Sequence, residues 1–187
     1  MSTLTMLRRL AVVLAASLLA LVLPASLPAA EAATPYCGIT WGSLTKASGT
    51  HQDQVLTHVR TGRHACYDRL VIDLKGSTPA GYSVRYVDNV YQDGSGYRVP
   101  LRGGAKLQVI VRAPAYDAWG RPTYRPASVT DLTDVTGFDT FRQVAWAGSF
   151  EGQSTLGLGV RARLPFRVFV LDDGSSARLV IDVAHRW

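Results

Sequence analysis

The chain has 187 residues, two cysteines, and 20 Lys and Arg against 14 Asp and Glu, for a formal net charge of +6. Of these residues 47% are hydrophobic and 18% charged, which excludes a disordered tail and leaves enough apolar material for one sizeable core. The positive surplus points to anionic partners and away from cationic ones.

Residues 1–32 read as an export signal. Arg8 and Arg9 form the charged start, Leu10 to Leu23 the apolar stretch, and Ala30-Glu31-Ala32 a small-x-small cleavage site. The apolar stretch is about 14 residues, short of the ~20 that a spanning helix needs. Pro24 and Pro28 prevent its extension. The mature chain is therefore expected to begin at Ala33, to be secreted, and to keep no membrane span. No nucleic-acid partner is expected there; wall carboxylates, wall phosphates and lipid headgroups are the anions at hand. Cys37 and Cys66 both lie in the exported part, and an even pair outside the cytosol reads as one disulfide. It ties a polar lead-in, 33–66, to the domain expected over 67–187. The hydrophobic points of the lead-in are Trp41, Leu44 and an edge-strand candidate at Val55 to Val59.

From Tyr67 onward short strands alternate with turns. The hexapeptide Arg69-Leu70-Val71-Ile72-Asp73-Leu74 recurs as Arg178-Leu179-Val180-Ile181-Asp182-Val183. In an extended strand Leu70, Ile72 and Leu74 share one face, and Arg69, Val71 and Asp73 the other. The order of charges predicts antiparallel pairing centred on Val71 and Val180. Arg69 then faces Asp182, and Asp73 faces Arg178. Between the two copies, strands are predicted at Tyr82 to Val87, Tyr97 to Leu101, Lys106 to Arg112, Phe141 to Ala147 and Thr155 to Val160. A hairpin of Phe166 to Leu171 with Leu179 to Val183 closes the domain. No segment keeps a helical period over 11 or more residues. The fold class is all-β, a sandwich or a barrel.

No constellation in the sequence carries catalysis. His51, His58 and His64 are spaced too widely for a paired zinc motif, and His185 stands alone. Ser149 follows Gly148 without the strand-to-helix turn of a nucleophile elbow. Asp172-Asp173-Gly174 is a turn, and Gly157-Leu158-Gly159 lacks the third glycine of a dinucleotide fingerprint. No catalytic residue, metal or cofactor is expected. The long segment Ala113 to Thr130 carries the candidate ligand-binding residues Tyr116, Trp119, Arg121, Tyr124 and Arg125. Sugar rings pack apolar faces on Trp and Tyr, and Arg holds carboxylate or phosphate in bidentate geometry. The alternative is that Trp119 and Tyr124 cap an open end of the sandwich.

The hexapeptides, together with Trp41-Gly42-Ser43, Arg60 to Arg69, Gly81 to Val87, Asp93-Gly94-Ser95-Gly96, Phe150-Glu151-Gly152 and Pro165-Phe166-Arg167-Val168, resemble the AMIN-like proteins secreted by actinobacteria. Those proteins are similar in turn to the AMIN domain found beside cell-wall amidases. The resemblance covers about residues 37–184. It implies a single-domain β-sandwich of two small sheets and a non-catalytic, wall-associated module that binds peptidoglycan or an anionic wall polymer. With only Ala184 to Trp187 after the last predicted strand, no amidase domain is expected. The alternative partner is another exported envelope protein, docked along a sheet edge.

Overall fold

The computed structural model describes residues 35–50 and 53–187; the expected signal segment and His51 lie outside them. After a single 3-10 turn at Tyr36–Gly38 come β1 (Lys46–Ser48), β2 (Val55–Arg63), β3 (Tyr67–Lys75), β4 (Tyr82–Val87), β5 (Val90–Tyr91) and β6 (Arg98–Val99). The second half supplies β7 (Ala105–Val111), β8 (Phe141–Phe150), β9 (Gln153–Val160), β10 (Phe166–Asp172) and β11 (Ser176–Ala184). The strands form an antiparallel five-stranded sheet in the order β1-β4-β7-β9-β8 and a four-stranded sheet in the order β10-β11-β3-β2. The small β5-β6 hairpin makes a third. This is the all-β class that the alternation predicts, in the sandwich form that the resemblance implies.

Side-chain period explains the layers. In β7, Leu107, Val109 and Val111 are wholly buried, while Gln108 and Ile110 face outward and are only half-covered. Leu70, Ile72 and Leu74 of β3 and Leu179, Ile181 and Val183 of β11 form the opposite wall of the same core. Phe141 and Phe166 close one end. Each such side chain contributes about 1.5–3 kcal/mol on leaving water. The two hexapeptides pair antiparallel, with Val71 opposite Val180, Arg69 opposite Asp182 and Asp73 opposite Arg178.

Three local departures from the sequence reading have physical causes. The strand read at Tyr97 to Leu101 shrinks to Arg98–Val99, because Pro100 has no N–H to offer a ladder. Lys46–Ser48, which carries no apolar alternation to betray it, pairs with Tyr82 to Val84 as an edge strand. β2 runs on to Arg63 and is bulged between Leu56 and His58, so the segment 33–66 supplies a full strand of the four-stranded sheet.

Glycines decide how closely the chain can cross the outer face of β9. The strap Leu101 to Gly104 passes directly over it. A Cβ on Gly159 would lie 1.9 Å from the Arg102 carbonyl oxygen, and one on Gly157 2.6 Å from Leu101 Cδ1. The Gly157-Leu158-Gly159 run is therefore a passage for backbone. At the Phe166 end, Tyr86 donates to the Leu164 carbonyl at 2.6 Å and accepts from its N–H at 3.0 Å. Burial raises the Tyr86 phenol to about 12.

Cys37 and Cys66 are joined. At a sequence separation of 29, the crosslink contributes about 3.5 kcal/mol in the chain-entropy treatment. The Cys66 carbonyl also accepts from the His185 N–H at 3.0 Å, and the Arg186 guanidinium lies over the Tyr36 ring at 4.6 Å. The segments around Tyr36 and Arg186 thus meet at one end of the sandwich. The β8-β9 turn and the segment 113–123 occupy the other end.

Candidate functional site

The segment 113–130, read from sequence as one long loop, begins as an organised projection. Its base is fixed to β2: the Leu56 N–H donates to the Pro114 carbonyl at 2.8 Å, and the Thr123 hydroxyl donates to the Leu56 carbonyl at 2.7 Å. Tyr116 bridges to Pro122, and the Asp117 N–H donates to the Arg121 carbonyl at 2.8 Å. The tip is built on Asp117. One carboxylate oxygen accepts from the N–H groups of Trp119 and Arg121, both at 2.9 Å, and the other from Arg121 Nε at 2.7 Å. Gly120, at φ 75°, makes the turn that an L side chain would strain. Burial pushes the Asp117 carboxyl up, but these donors together hold it below its ordinary value.

This construction separates the five sequence candidates. Trp119 stands in solvent, 78% exposed, with the Arg121 guanidinium over its ring at 4.6 Å. Tyr116 is half-buried, and its hydroxyl accepts from the Gly152 N–H at 3.2 Å, so it buttresses the projection. Tyr124 turns inward and packs edge-on against Trp146 at 5.5 Å; burial raises its phenol pKa. Arg125 is exposed farther along the segment. Trp119 and Arg121 are displayed, whereas Tyr124 serves the packing role.

A second surface covers the outer face of the four-stranded sheet. Asp182 is completely buried there between two arginines. Arg69 grips it through Nε at 2.6 Å and a terminal nitrogen at 2.9 Å, and Arg167 adds Nε at 2.8 Å. The two guanidinium groups stack with Tyr67 and Phe169, at 5.0–5.6 Å from the ring centres, and Arg167 also reaches Trp41. This aromatic and arginine layer covers Val71 and Val180, leaving them 6% and 1% exposed on the face away from the core. The second expected pair is not made. Asp73 lies opposite Arg178 in register, but its carboxylate turns to the Arg60 fork, at 2.9 Å to each oxygen. The β2 bulge sets Arg60 on the diagonal from Asp73, and Asp73 raises the Arg60 pKa. Arg178 is left exposed beside a shallow cleft of about 210 Å³, shared with Arg60, Gly62, His64 and Arg69. Sequence reasoning missed Arg60, Arg167, Phe169 and Trp41 as members of this surface. The available signal was alternation, which puts Arg167 and Phe169 on the same face as Asp182.

The remaining polar motifs are structural. Asp68, Asp139 and His185 bring three potential ligand atoms within 4.8 Å of one another. Asp68 already accepts from the N–H groups of Thr140 and Phe141, at 2.6 and 2.9 Å, and lies 3.2 Å from His185 Nε2. Asp139 is shared with Arg63 at 3.1 Å. The cluster is a clasp between the end of β11, the start of β3 and the start of β8. Ser149 accepts from the Ala115 N–H and donates to the Gln153 carbonyl, and Asp173 caps its turn through Ser176.

Neither a curated protein nor a solved structure matches the chain. The AMIN-like domain model matches residues 54–185, from the start of β2 past the end of β11. Both hexapeptides, the aromatic projection and every strand except β1 fall inside that span, and the chain belongs to the AMIN-like domain family.

Proposed function

We propose that the protein is a secreted, non-catalytic module that binds peptidoglycan or an associated anionic glycan of the cell wall. Family membership supports a cell-wall related role at the coarse level. The observation that carries the finer reading is Trp119, held exposed at the tip of a rigid turn with Arg121 stacked on it. An exposed indole face suits the C–H face of a sugar ring, and the adjoining guanidinium suits a carboxylate or phosphate on the same polymer. Without residues 1–32 the chain keeps 18 Lys and Arg against 13 Asp and Glu, and this charge of +5 draws such polymers in. Purified sacculi test the reading by co-sedimentation. The wild-type chain should pellet at low salt and release as salt rises, and Trp119→Ala should weaken binding by about tenfold or more, the size of a Trp hot spot. Failure to pellet at low salt sinks the binding claim. Release of reducing ends or free amines from the sacculi sinks the non-catalytic one.

A second reading rests on β10. It is the last strand of its sheet, and beyond the Gly42-to-Phe166 bridge no strand lies against its outer edge among the described residues. That edge offers another exported protein a place to add a strand.

A further inference from the structure

Two cavities lie side by side along β8, and a single ion pair divides them. The Arg102 guanidinium meets the Asp131 carboxylate across the opening. On one side is a space of about 690 Å³ lined by polar groups such as Thr133, Asp134 and Thr136. On the other is a space of about 560 Å³ lined by Val99, Pro100, Leu101, Val129 and Trp146, with Arg98 beside them. A pocket of that size with apolar walls and a few convergent polar groups is the usual form of a small-ligand site.

The walls of the apolar cavity are pre-set by one buried amide. Gln143 is 4% exposed; its oxygen accepts from the Arg102 N–H at 2.7 Å, and its nitrogen donates to the Thr130 carbonyl at 2.8 Å. The strap carrying Arg102 and the loop carrying Val129 and Asp131 are thereby held at a fixed separation. The strap itself cannot rise or slip without leaving the glycine track on β9. Arg102 Nε also leans on the Arg142 carbonyl at 3.3 Å, which aims the guanidinium at the opening. Pre-set walls reduce the ordering cost of binding.

Charge selects the ligand. Arg98 and Arg102 line the cavity against the single carboxylate of Asp131, and Arg98 makes no ion pair among the described residues. The Arg102 and Asp131 side chains are 60% and 42% exposed. Exchanging one exposed carboxylate for another on the same guanidinium therefore carries little desolvation cost. Asp131 is held below the usual carboxylate range by the Arg102 guanidinium, so it stays charged at neutral pH.

We infer that the apolar cavity is a binding site for a short peptide ending in a free carboxylate, with small apolar side chains resting on Trp146, Val99 and Val129. Its carboxylate takes the place of Asp131 on Arg102, with Arg98 as the second cation. The site uses none of the residues of the Trp119 projection, so it stands or falls independently of glycan binding.

The test uses the full chain and a probe without sugar, N-acetyl-alanyl-alanine, titrated by NMR or calorimetry beside its C-terminal amide. The free acid should saturate at millimolar concentrations or below, and the amide should bind at least about tenfold more weakly. Asp131→Asn removes the internal competitor and should tighten the free acid several-fold, whereas Arg102→Gln should weaken it about tenfold or more. If Arg102→Gln does not fold, Asp131→Asn alone decides. No saturable binding of the free acid overturns the inference. So does equal binding of acid and amide, or an Asp131→Asn variant whose affinity is unchanged or lower.

Discussion

Replacing Asp182 and Asp73 in turn by Ala tests whether burial, and not sequence context, sets the worth of an ion pair in this fold. The two residues occupy the same position in the repeated hexapeptide. Asp182 is wholly buried and receives three guanidinium bonds of 2.6–2.9 Å from Arg69 and Arg167, whose side chains are 23% and 31% exposed. Removing it strands two partly covered cations. Charge-assisted bonds contribute roughly 1.5–3 kcal/mol each, but the freed arginines recover some hydration. Breaking a buried pair typically costs about 3–5 kcal/mol, and that range is expected here. Asp73 is 25% exposed and its Arg60 partner 48%, so its loss should cost only about 0–1 kcal/mol. For a domain of this size about 1 kcal/mol shifts Tm by roughly 2–4 °C. Asp182→Ala should therefore melt about 6–20 °C below the parent and Asp73→Ala within about 4 °C of it. Urea titration of both variants should show the difference in midpoint without a change of slope. Equal costs for the two substitutions, or a small cost for Asp182→Ala, would refute the reasoning.

Three further substitutions test the backbone and the buried phenol. Gly159→Ala places a methyl 1.9 Å from the Arg102 carbonyl oxygen. That is backbone that cannot give way without lifting the strap, so the variant should lose several kcal/mol or fail to fold, as seen by circular dichroism and thermal melting. Gly174→Ala, in open space but at φ 86°, should lose only about 1–2 kcal/mol. The Tyr86 phenol, raised to about 12, binds its proton more tightly folded than unfolded. Its contribution is complete below about pH 10 and is lost as pH rises toward 12. Phenolate absorbance should show a tyrosine titrating near pH 12, and Tyr86→Phe should delete that step.

Much of the frame could be read from the chain because its strands obey a period of two. The alternation at 106–112 located β7 and its buried face, and the charge order of the hexapeptides set both the orientation and the register of β3 against β11. What alternation cannot show is what covers an outward face. Asp182 looks like a solvated strand residue until Arg69, from a strand distant in sequence, and Arg167 close on its carboxylate, with Trp41 and Phe169 packed on the guanidinium groups. The partner of Asp73 depended on the β2 bulge, which local pattern does not mark. Trp119 and Tyr124 are alike in sequence context, and only the Asp117 turn sends one outward while the other packs on Trp146.

The meeting of Arg186 with Tyr36 makes this fold a convenient display head. A leash fastened at either place leaves from the same pole, remote from the Trp119 tip. Fusion to a carrier, or attachment to a surface, through Tyr36 or through Trp187 would therefore present the same pole outward. The two points are interchangeable handles for such a leash.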